Sequence, residues 1–155
     1  MPSLAIPPSL KSIKPHIRRA EELDGDNSNP KHRLISYYCR QYAVEKGLPA
    51  ATDKESKGTL IKIMDALESE REIIGKSFSA AESFAIVKEF GDNIFERADA
   101  EDKRGEGGKG TAQMFSASSN FYEVLELEQV RVRQTKTLHT HRRYLIYLWE
   151  YRRLH

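Results

Sequence analysis

Residues 30 to 46 are bracketed by a start signal and a stop signal. Asn29 is a residue type that accepts the free N–H groups at a helix start, and Pro30 has its φ already set for a first helical position. Gly47 and Pro49 close the segment. Inside the bracket Ile35, Tyr38, Cys39, Tyr42 and Ala43 fall at i, i+3, i+4, i+7 and i+8, and Leu34, Tyr37 and Val44 widen the stripe. A helix with so wide an apolar face cannot stand alone in water, so the rest of the chain must cover it.

The remaining sequence offers helices for that purpose. Leu10, Ile13, Ile17, Ala20 and Leu23 keep helical spacing, but Pro15 would remove a hydrogen bond inside a regular helix. The regular part is therefore expected from about Lys14, with Leu10 and Ile13 docking as an irregular lead-in and residues 24 to 29 as a turn-rich connection. Thr52 and Glu55 match a capping box before Leu60, Ile63, Met64, Leu67 and Ile74, with Gly75 marking the end. Ser79 and Glu82 match a second box before Phe84, Val87, Phe90, Ile94, Phe95 and Ala98, in a helix ending in the charged "ADAEDKRGEGGKG". Met114, Phe115, Ser118, Phe121, Tyr122 and Leu125 repeat the spacing once more. β-branched alternation is nearly absent. The expected class is all-α, five amphipathic helices joined by short polar loops as antiparallel hairpins.

Charge is unevenly distributed. Residues 1 to 130 carry 18 Lys and Arg against 22 Asp and Glu, whereas residues 131 to 155 carry 7 against 1. The body is mildly acidic and the tail strongly basic, so the overall +2 describes neither part. The N-terminus lacks a basic segment followed by an apolar run, and the longest apolar run is the short "YLIYLW". A cytoplasmic location is expected, and one cysteine in 155 residues excludes an internal disulfide.

No catalytic arrangement is legible. Cys39 lies mid-helix on the apolar stripe, away from the helix N-terminus or histidine that would activate a thiol, so it reads as core. Tyr37, Tyr38 and Tyr42 read as packing rings. "GEGGKG" fails the phosphate-loop pattern because Gly110 follows Lys109 where Ser or Thr is required, and Lys103 stands where the first glycine belongs. His139 and His141 lack companions nearby except His155, so no metal is expected, and no cofactor or small-molecule substrate. The tail interleaves Lys and Arg with Tyr and Trp, a composition suited to phosphates or lipid headgroups; alternatively Leu138, Leu145, Leu148 and Trp149 pack as a last helix from about Thr137.

"IPPSLKSIKPHIRRAEELD", "SYYCRQYAVEKGL", "LIKIMDALESEREIIG", "IFERADAEDKRG" and "TAQMFSASSNFYEVLEL", in that order, resemble the N-terminal domain of the Vta family of vacuolar protein sorting regulators. The resemblance covers about residues 6 to 127, and its most specific piece is Tyr37, Tyr38, Cys39 and Arg40 with Tyr42, Ala43 and Gly47. It implies two MIT-like three-helix bundles in tandem, 8–76 and 79–128; the second departs from the family in showing two clear helices, its last helix atypical or replaced, with the basic tail at 129–155 as a candidate substitute. It further implies an adaptor of the ESCRT pathway, recruited to the endosomal membrane, that binds C-terminal helical tails of ESCRT-III subunits. The AAA ATPase that disassembles ESCRT-III would be reached only indirectly, since the family's C-terminal ATPase-binding domain has no counterpart here. A peptide groove is expected on the exposed side of Met114, Ser118, Phe121, Tyr122 and Leu125. The rival reading is a helical scaffold whose tail binds anionic membrane or nucleic acid.

Overall fold

The computed structural model describes residues 3–26 and 28–133, with side chains through Leu127. The described residues are helical with no strand: a 3₁₀ lead-in at Pro8–Ile13, α1 at Lys14–Asp24, α2 at Pro30–Gly47, a 3₁₀ turn at Leu48–Ala50, α3 at Lys54–Ser77, α4 at Ala80–Lys103 and α5 at Lys109–Arg133. The chain divides into a compact unit, Met1–Leu125, and a second unit, Glu126–His155, whose described part is the end of α5.

Local chemistry sets most boundaries. The lead-in turns irregular at Leu10, and α1 begins with Pro15 in its first turn, where the missing N–H costs nothing. Asn29 caps α2 by accepting from the Lys31 N–H at 2.9 Å. Ser79 and Glu82 form the reciprocal box at the start of α4, at 3.1 and 2.7 Å. At α3 the cap is Asp53 and not Thr52. The Asp53 carboxylate accepts from both the Ser56 N–H at 2.8 Å and the Ser56 hydroxyl at 2.9 Å, and also from Ser9 at 3.1 Å, which ties the lead-in to α3. The α3 helix runs past Gly75 to Ser77, and α1 includes Asp24.

Gly47 ends α2 without a left-handed turn. A Cβ there would lie 3.1 Å from a methyl of Leu60 and 3.3 Å from one of Ile13, so its role is close packing. Gly105 is the glycine that needs its freedom: at φ +71° it turns the chain out of α4.

Two cores form. The first joins Leu10, Ile13, Ile17, Ala43, Val44, Leu60 and Ile63, with Met64 and Leu67 packed against it. The second joins Ala20, Leu23, Ile35, Cys39, Val87, Ala117, Phe121, Val124 and Leu125. Both draw on the α1–α2 hairpin. The start of α1 and the end of α2 serve the first core, and the end of α1 and the start of α2 serve the second, where α4 and α5 cover them. Each fully buried aliphatic or aromatic side chain contributes about 1.5–3 kcal/mol relative to exposure.

Candidate peptide-binding site

The signature helix is structural. Cys39 and Ala43 are fully buried, and burial pushes the Cys39 thiol up to about 12, so it stays protonated and unreactive at neutral pH. Tyr37 and Tyr38 meet edge to face with ring centroids 5.4 Å apart, while Tyr42 stacks on His16 at 4.3 Å and donates to Glu123 at 3.1 Å. These three rings are half-buried, as packing rings with hydroxyls near the rim.

Arg40 does something the sequence pattern does not disclose. It reaches back to the end of α1, where its guanidinium pairs with the Asp24 carboxylate and donates to the Ser36 hydroxyl at 2.6 Å. Ser36 in turn donates to Asp24 at 2.6 Å. Partial burial pushes Asp24 upward, but the hydrogen bonds from Arg40 and Ser36 outweigh it and hold the carboxyl below its ordinary value. The cluster closes the α1–α2 hairpin, and Arg33 adds a bidentate pair with Glu70 of α3.

The five residues expected to line a groove separate in the structure. Ser118, Phe121 and Leu125 are buried, Phe121 to 2% exposure in the second core, with its ring edge-to-face on Phe90 at 5.1 Å. Ser118 and Leu125 therefore offer no groove to a peptide, and Phe121 contributes only a residual surface. The physical reason is that α5 turns Phe121 and Leu125 into the second core, which it shares with α1, α2 and α4. Tyr122 is half-buried on another side, over Gly91 and bonded to Asp92 at 2.7 Å; burial and that carboxylate push its phenol up to about 12. Met114 is half-buried and accessible.

Met114 lies instead at the mouth of a cleft of about 330 Å³ between α1, α4 and α5. Leu23, Phe90, Ile94, Ala117 and Phe121 give it an apolar floor, and Arg19, Glu22 and Arg97 stand at its edges. Met114 and Phe121, on one stripe of α5, both line this cleft, whereas the contribution of α1 has no local signal in the sequence. Among the described residues no helix is long and apolar enough to cross a membrane. Residues 129–133 of the tail continue α5, while His139, His141 and the rest of the tail reading lie outside the described residues.

The chain matches the family described as "Vta1 like" over residues 12–148. It belongs to the Vta1 family. The Vta1 match passes Leu127, where the motif resemblance ends, and takes in most of the basic tail. The chain is 33% identical over 119 residues to the Arabidopsis thaliana protein named homolog of mammalian LYST-interacting protein 5, covering 74% of this chain and 26% of that one. To the Vta1 homologs named as vacuolar protein sorting-associated it is 27% identical in Dictyostelium discoideum, covering 79% of this chain and 22% of that one. For the Homo sapiens homolog the values are 28%, 77% and 39%. The chain thus spans well under half the length of these Vta1 relatives.

Proposed function

We propose that this chain is an adaptor domain of vacuolar and endosomal protein sorting that captures the C-terminal helical tails of ESCRT-III subunits, with residues 8–76 and 79–128 as its two MIT-like modules. It performs no covalent step; its work is recruitment, at endosomal membrane, of filament subunits to machinery carried by other domains and proteins. The observation that carries the reading is the apolar cleft floored by Leu23, Phe90, Ile94 and Phe121 and opened by Met114. An amphipathic helix can lay apolar residues at i, i+3 and i+4 into such a cleft, and the Arg19, Glu22 and Arg97 side chains at its rim set the direction in which a charged tail lies.

Titration of labelled C-terminal peptides from all ESCRT-III subunits tests this. Met114→Asp with Gln113→Asp places two carboxylates at the cleft, and neither residue belongs to the second core. At least one peptide should bind the unaltered chain, and the double variant should lose it with its helical content unchanged. Binding should change little between low and near-physiological salt, because apolar docking is not screened. Failure of every peptide to bind, or binding indifferent to the double change, overturns the reading.

A further inference from the structure

Residues 3–7 lie on α1 as an extended strap. Ser3 and Ala5 are exposed and Leu4 and Ile6 half-buried, the two-residue alternation of an extended peptide against a surface, and Pro7 after them is buried. Leu4 and Ile6 pack on the first core. The Leu4 backbone N–H donates to the Glu21 carboxylate at 2.8 Å, and the Ser3 hydroxyl lies 3.4 Å from the same carboxylate. Pro7, at φ −60° and ψ 153°, holds the polyproline conformation where the strap joins the lead-in.

The seat is not filled to core density. About 190 Å³ of open space remains between the strap and the face of α1 formed by Lys14, Ile17, Arg18 and Glu21. The contact therefore combines a carboxylate gripping a backbone N–H, two half-buried branched side chains two residues apart, and a proline. Those are the elements by which a folded surface holds an extended peptide, main-chain hydrogen bonding for affinity and alternate side chains for selection. A segment attached this lightly opens at a small fraction of the global unfolding free energy.

We propose that this face of α1 is a second peptide-docking surface, which the chain's own residues 3–7 occupy in cis and which takes, in trans, an extended peptide with branched apolar residues at alternate positions followed by proline. The strap is then a built-in competitor. An incoming peptide must overcome its high effective concentration, so the surface answers only to a partner that is tethered nearby or present in quantity. The surface is separate from the cleft at Met114, so the two stand or fall independently.

The test uses a fluorescein-labelled peptide of residues 3–8, Ser-Leu-Ala-Ile-Pro-Pro, titrated by anisotropy against the full chain and against a full chain carrying Leu4→Ser with Ile6→Ser. Removing the strap's two anchors should tighten peptide binding by about tenfold or more. Adding Glu21→Ala to that variant should abolish binding, while Met114→Asp should leave it unchanged. Equal affinity for the two chains, or no binding to a strap variant of unaltered helicity, overturns the proposal. Loss of the folded state in the strap variant overturns it too, because the strap would then be core and not a displaceable occupant.

Discussion

The two cores differ in how completely they are closed. The first is aliphatic, built of Leu, Ile, Val and Ala and closed by the 3₁₀ lead-in and α3. The second is rimmed by half-buried rings and branched chains, Tyr38, Tyr42, Phe84, Ile86, Phe90, Ile94 and Tyr122, with Phe95 left 42% exposed beside Phe115. Aliphatic chains without polar atoms suit a closed interior. Aromatic rings tolerate a wet edge, and the cleft at Met114 opens beside them in the second core.

The largest effect that separates the cores should come from Phe121. Truncation to Ala removes the ring between Phe90 and α1 and should cost about 3–5 kcal/mol in urea unfolding. Hydrogen exchange should rise in α4 and α5 before it rises in α3; a uniform rise would show that the cores open as one.

Acid should weaken the second core by a somewhat smaller amount. His16 is 1% exposed, stacked on Tyr42, with Nε2 3.4 Å from Glu123 and Lys46 and Arg19 nearby. Burial lowers it to about 4 from 6.5, the attraction of Glu123 only partly opposing this. The folded state therefore favours the neutral ring. Stability is full above about pH 6.5 and declines toward pH 4 as the unfolded chain takes the proton, by up to about 3 kcal/mol. His16→Leu should flatten urea midpoints across that window, and an unchanged slope would place the titration elsewhere.

Gly47→Val probes the first core. Its side chain meets Leu60 and Ile13, and overpacking should cost about 1–3 kcal/mol, with α3 showing the greater loss of exchange protection. The smallest effect is expected at the α4 cap. Ser79→Ala should lower stability by about 1 kcal/mol and fray α4 locally, visible as faster exchange of the first-turn amides.

The helices were legible because their signals are local: a stripe at 3.6-residue spacing, Asn29 before Pro30, Ser79 three residues before Glu82. The choice between Thr52 and Asp53 was not, since both are cap-forming residues. It was decided by bonds to Asp53 from the Ser56 hydroxyl in the first turn of α3 and from the Ser9 hydroxyl of the lead-in. The stripe on α5 named a face without naming what covers it, so Ser118, Phe121 and Leu125 looked available although the fold buries all three. His16 carried a faint signal, three residues after Ile13 and four before Ala20, but its neighbour Glu123 is distant in sequence. Arg40 and Asp24 form a pair that only the folded hairpin brings together.

Cys39 and Ala43 stand one helical turn apart on α2, the former in one core and the latter in the other. That interval works as a fixed phase between two halves of the molecule. One residue inserted between them would rotate everything downstream by about 100° and no rearrangement of loops would restore both faces together. Change by substitution is open to this helix, while change in length is confined to the connections between helices, where an added residue leaves both faces in step.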